Sequence, residues 1–96
     1  MTIRIGVIGC GYWGPNIIRN FNQINQVDLA YVCDVDENKM SLIKKTYPKV
    51  KTTTNYKEIL KDPEVDAIAI VLPVEKHYEV AKEALLNNKH VLIEKP

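Results

Sequence analysis

Three glycines set the constraint on this chain. Gly9, Gly11 and Gly14 follow the apolar run Ile3-Arg4-Ile5-Gly6-Val7-Ile8, and they open a segment in which Trp13, Ile17, Phe21 and Ile24 recur at helical spacing. A strand, a tight glycine turn and a helix are predicted in that order. The spacing matches the G-x-G-x-x-G turn of dinucleotide-binding folds, where each glycine has a separate task. Gly9 permits the sharp exit from the strand, Gly11 allows close approach of a pyrophosphate, and Gly14 lets the helix pack against the strand. Pro15 falls in the first helical turn, where its missing N–H costs nothing. The unpaired N–H groups at that helix start and the helix dipole favour an anion.

An acidic residue at the end of the next strand strengthens the pattern. Val27 to Asp34 reads as that strand, and Asp34 stands twenty positions after Gly14, near the spacing of about 20 expected for a carboxylate that binds the adenosine ribose. A 2′-phosphate at 4 Å from that carboxylate would cost about 4 kcal/mol at an effective dielectric near 20. Val35 and Asp36 offer no compensating cation, so NAD is expected over NADP. The competing reading of Asp34 is a plain turn residue.

The order of the remaining segments predicts the fold. Asp36 is a plausible N-cap for a helix carrying Met40, Ile43 and Tyr47, which Pro48 stops. A short strand, 49–53, follows, and Asn55 with Glu58 has capping-box spacing for a short helix through Leu60. Val65 to Leu72 is almost continuously apolar, as a central parallel strand covered on both faces should be. Pro73 ends it. A helix over 75–87 carries His77, Val80, Ala81, Ala84 and Leu85 on one face, and His90 to Glu94 forms the last strand. This βαβαβαβαβ alternation predicts an α/β, Rossmann-type doubly wound parallel sheet of order 3-2-1-4-5, with helices on both faces. Gly9, Asp34, Leu72-Pro73 and Glu94-Lys95 then share the rim where ligands of such sheets bind.

Composition narrows the function classes. Ninety-six residues make one domain, 1–96, and thirteen basic against twelve acidic residues leave no charge block to suit nucleic acid or a membrane surface. The cluster Lys44, Lys45, Lys49 and Lys51 reads as a solvated helix end and strand flank. No apolar run approaches a membrane span, and the amino terminus enters a strand without a signal-peptide pattern. Cys10 and Cys33 form no C-x-x-C and have no metal-like histidine neighbours. A reduced, cytoplasmic protein without a metal site is expected, with both cysteines as small buried side chains. His77 and His90 read as structural, and Lys95 on spacing alone as an exposed lysine.

The runs GCGYWG at 9–14 with Pro15-Asn16, Cys33-Asp34-Val35-Asp36, Val65-Asp66-Ala67-Ile68, Pro73 with His77-Tyr78, Ala84-Leu85, and Lys89-His90-Val91 through Glu94-Lys95-Pro96 together resemble the N-terminal half of the glucose-fructose oxidoreductase and inositol dehydrogenase family, Gfo/Idh/MocA. The GYWGPN run is similar to the branch acting on nucleotide-linked sugars. The resemblance implies an oxidoreductase that transfers hydride between NAD and a sugar, nucleotide-sugar or polyol carbon. Gly9, Gly11, Tyr12, Trp13 and Gly14 would contact the pyrophosphate side and Asp34 the ribose. Leu72, Pro73, His77 and Glu94 would line the nicotinamide half, with Lys95 catalytic beside the reacting hydroxyl at a Lys95-Pro96 bond that is often cis in the family. Leu72 replaces a frequent Thr or Ala, and Asn88 replaces a turn glycine, a position where Asn tolerates left-handed backbone. Relatives continue into a second domain that supplies the sugar pocket and the oligomer interface. The 96-residue chain alone is therefore expected to bind NAD weakly without turnover, and exposed apolar surface at its edge is a further route to a homo-oligomer beside that second domain. The alternative is a stand-alone, non-catalytic NAD-binding module, either a redox sensor or an assembly subunit.

Overall fold

Residues 2–9 and 14–93 are described by a computed structural model, residues 14 and 15 by their backbone alone. Among the described residues nine elements follow one another as β1 (Ile3–Ile8), α1 (Gly14–Gln23), β2 (Val27–Cys33), α2 (Glu37–Thr46), β3 (Lys51–Thr53), α3 (Tyr56–Lys61), β4 (Ala67–Ile70), α4 (Val74–Leu86) and β5 (His90–Ile93). All pairings are parallel and the sheet order is β3-β2-β1-β4-β5. The predicted alternation and order are thus the observed ones. Strands β3 and β4 start later than the predicted 49–53 and 65–72, because Val50 and Val65 each donate a backbone N–H into the preceding turn, to Tyr47 O and Asp62 O.

Alternation along the strands divides the core between two faces. Ile5, Val7, Val32 and Ala69 pack with Ile18 of α1 and Met40 and Ile43 of α2. Ile8, Cys33, Ile68 and Ile70 pack on the opposite side with Ile59 and Leu60 of α3 and Val80 and Ala84 of α4. Ile5 pairs with Leu29 but Gly6 with Tyr31, so Ala30 is an extra residue in β2. This bulge keeps each paired residue on its own face.

Two predicted stripes shift. In α1 the fully buried side chain is Ile18, at 0% exposure, whereas Ile24, past the last helical residue, is 46% exposed. In α4 Val80 and Ala84 are buried but Leu85 is 61% exposed, because the helix rests on the sheet through the 80–84 line. Caps follow the sequence more closely. Asp36 Oδ1 accepts from Asn38 N and Lys39 N at 2.9 and 3.3 Å. Asn55 Oδ1 accepts from Lys57 N at 3.1 Å. Thr53 Oγ1, in place of Glu58, accepts from Asn55 N, so the capping box is closed from outside the helix. Asn88 adopts the left-handed conformation, φ 63°.

Several lysines have structural attachments. Lys44 Nζ donates to Val50 O at 2.9 Å, and Lys51 Nζ lies 5.5 Å from the centre of the Tyr31 ring. Lys89, 6% exposed, donates from Nζ to Asp62 O at 2.6 Å and to Val65 O at 2.7 Å. That burial was not legible in the sequence, since the accepting carbonyls belong to a turn more than twenty residues away.

Candidate functional site

Register places the site. Thr53 pairs with Cys33, Cys33 with Ile8, Ile8 with Ile70 and Ile70 with Ile93, so the five strands end in one row. The residues that leave this row gather at the carboxyl rim. Gly9 leaves β1 with φ 95°, and its N–H donates to Cys33 O at 2.7 Å. A Cβ there would stand 2.5 Å from Val71 O and 2.8 Å from Val71 C. Glycine is therefore required twice, by the left-handed backbone and by the end of β4 lying against it.

Asp34 begins the β2–α2 turn. Its N–H donates to Thr53 O at 3.2 Å, and its Oδ1 accepts from Asp36 N at 2.9 Å. The residue thus shapes the turn, and the same bond orients the carboxylate on the rim. Gly9, Asp34, Leu72 and Pro73 line one cavity of about 420 Å³, within the roughly 300–1,000 Å³ usual for small-molecule sites. Ile8, Val71 and Val80 make its floor apolar, and Thr54, Lys76 and Glu79 make its rim polar. A floor of this kind suits a flat apolar ring, and the carboxylate beside it suits a sugar hydroxyl.

Sequence reasoning missed one wall of this cavity. Tyr56, the first residue of α3, lines it and donates from its hydroxyl to Glu83 Oε1 of α4 at 3.0 Å. Burial first, then the bond to Glu83 and the carboxylates of Glu83 and Glu79, push the Tyr56 phenol up to about 12. Its position just after an N-cap was readable; its place in the same cavity as Asp34 depends on how α3 and α4 meet. Cys33 also faces the cavity. Burial, followed by the charges of Asp34 and Glu58, raises its thiol to about 11, so it remains a protonated, unreactive group.

His77 lies elsewhere. Half-buried in the first turns of α4, it faces a groove shared with Tyr78, Ala81 and Ile93, and its Nε2 is 2.5 Å from Leu72 O. Gly14 opens α1. Cys10, Gly11, Tyr12, Trp13, Glu94 and Lys95, with the Lys95-Pro96 bond, lie outside the described residues. Among the described residues no group of three or more His, Cys, Asp or Glu side chains is placed to hold a metal, and no helix is long and apolar enough to cross a membrane.

Comparison with known proteins extends the geometry. Residues 3–96 match the model of the Gfo/Idh/MocA oxidoreductase family, NAD-binding Rossmann fold. Inositol 2-dehydrogenase of Salmonella typhimurium is 31% identical over 98 residues, covering all of this chain and 29% of that enzyme. The structure of scyllo-inositol dehydrogenase from Lactobacillus casei with bound NAD(H) and scyllo-inositol superposes with a TM-score of 0.90 at 28% identity, over all of this chain and 28% of that one. A 3-ketoreductase from Actinomadura kijaniata in complex with NADP and TDP-benzene gives a TM-score of 0.90 at 26% identity, over all of this chain and 30% of that one. The chain thus spans less than a third of the length of each of these proteins.

Proposed function

The chain belongs to the Gfo/Idh/MocA oxidoreductase family, with its NAD-binding Rossmann fold, and on that footing we propose that residues 1–96 form the cofactor-holding domain of an enzyme that oxidises a hydroxyl-bearing carbon of a sugar, nucleotide-linked sugar or polyol. The observation that carries this reading is the meeting of Gly9 and Asp34 in one apolar-floored cavity at the row of strand ends. Those residues fit a dinucleotide. The left-handed turn at Gly9 leads into the glycine loop, and the carboxylate of Asp34 is already oriented by Asp36 N.

In this reading Gly9, Gly11, Tyr12, Trp13 and Gly14 hold the pyrophosphate, and Asp34 accepts from the ribose hydroxyls. Leu72, Pro73 and Glu94 border the nicotinamide half. His77 acts on the same end through the Leu72 carbonyl that it contacts. NAD supplies the hydride acceptor. Lys95, at Nζ, takes or steers the hydroxyl proton as the carbon gives up hydride, because a lysine ammonium lowers its pKa readily when desolvated.

Asp34 also favours NAD over NADP by charge, and calorimetry tests this. NAD should bind at least about tenfold more tightly than NADP, and Asp34→Ala should narrow the gap. Tighter binding of NADP by the unaltered chain would refute the assignment.

A further inference from the structure

One wall of the cavity carries an aromatic side chain that is bonded to a second helix. Tyr56 is the first residue of α3, its ring packs against the cluster that contains Ile8, Cys33 and Val80, and its hydroxyl reaches Glu83 on α4. Glu83 itself is half-buried and lines no part of the cavity. Asp34 borders the same space on the β2 side.

We propose that Tyr56 forms an aromatic face for the purine ring of the dinucleotide, and that Glu83 is a positioning residue that fixes this face through the Tyr56 hydroxyl. The inference rests on the cofactor reading above and adds to it a base-contacting residue and a residue that acts at one remove. A flat aromatic surface suits a nucleobase, because stacking uses the whole ring face. An unpinned tyrosine at a helix start would sample other rotamers and would have to be ordered at each binding event, which weakens affinity. The charged acceptor Glu83 keeps it in one, and because the phenol stays protonated far above neutral pH the bond persists across the physiological range.

The test uses adenosine monophosphate as probe and calorimetry on the full chain, with circular dichroism confirming that each variant is folded. Glu83→Ala and Tyr56→Phe should each weaken binding about three- to tenfold, the range of one lost hydrogen bond. Tyr56→Leu, which removes the ring as well, should weaken it by about tenfold or more. Glu83→Gln retains an acceptor and should bind within about twofold of the unaltered chain. Ultraviolet difference titration, with circular dichroism recorded at each pH to confirm that the chain stays folded, should show the elevated tyrosine moving part of the way towards its ordinary value in Glu83→Ala, because burial still holds it up. If the unaltered chain does not bind adenosine monophosphate, the cofactor reading falls. If it binds and the Tyr56 and Glu83 variants bind equally well, or if Glu83→Gln behaves as Glu83→Ala, only the present inference is overturned.

Discussion

Gly6 sits in the middle of β1, where a glycine is ordinarily a weakness, and the packing against it predicts what a methyl group would do. A Cβ at Gly6 would lie 2.6 Å from Cγ2 of Ile59, with Ile59 Cδ1 and Ile68 Cδ1 at 3.6 Å. Ile59 is fully buried in α3 and branched at Cβ, so its Cγ2 has no alternative rotamer to retreat to. Forcing a methyl into such a site costs about 1–3 kcal/mol, while replacing a strand glycine returns about 0.5–1 kcal/mol of backbone entropy. Gly6→Ala should therefore destabilise by about 0–2.5 kcal/mol net. Ile59→Ala alone should cost about 2–5 kcal/mol through the cavity it leaves. In the double variant the new methyl occupies part of that cavity, the clash disappears and the entropy gain remains. Its cost should then fall short of the sum of the two single costs by at least about 1 kcal/mol, outside the roughly 0.3–0.5 kcal/mol expected of independent sites. Urea unfolding followed by circular dichroism measures all four corners of the cycle. Additive costs would refute the account in which α3 is seated directly on a bare stretch of β1.

Two further outcomes follow from the charges. At pH 8 a thiol with a pKa of about 11 is ionised about a hundredfold less than one at its reference value of 9.0, so peptide mapping should show native Cys33 alkylated at least that much more slowly than in urea; equal rates would contradict its burial. The Glu64 N–H, then the Tyr31 hydroxyl, hold the Asp62 carboxyl below its ordinary range, which stabilises the fold above the unfolded pKa near 3.8 and is lost as pH falls through the folded value. The urea midpoint of the unaltered chain should accordingly drop more steeply than that of Asp62→Asn between about pH 5 and pH 2, and parallel curves would exclude Asp62 as a source of the loss.

The strand order, and the meeting of Gly9, Asp34, Leu72 and Pro73 beside one cavity, were legible in the sequence because they depend on local signals: a strand run, a glycine turn, an acidic strand end, and prolines at Pro48 and Pro73. The two-faced core was legible in type but not in every residue. Helical spacing named Ile24 and Leu85, yet the first lies past the last helical residue and the second sits beside the buried 80–84 line. The partners of Tyr56, Glu83 and Lys89 carry no local signal. Each of these residues acquires its partner from a segment 24 to 27 residues away, and a sequence without a topology does not say which helix flank meets which turn. Gly9 stands between the two cases, for its turn was readable but the carbonyl of Val71 pressing on it was not.

Lys89 gives the sheet a division of labour. Its ammonium bridges Asp62 O and Val65 O ahead of β4, while its own backbone leads into β5, so one side chain fastens the last strand to the entry of its neighbour. This fastening lies at the end of the sheet remote from Gly9 and Asp34. Loss of that bridge should loosen the start of β5 against the entry to β4 while leaving the residues that line the cavity beside Gly9 and Asp34 in place.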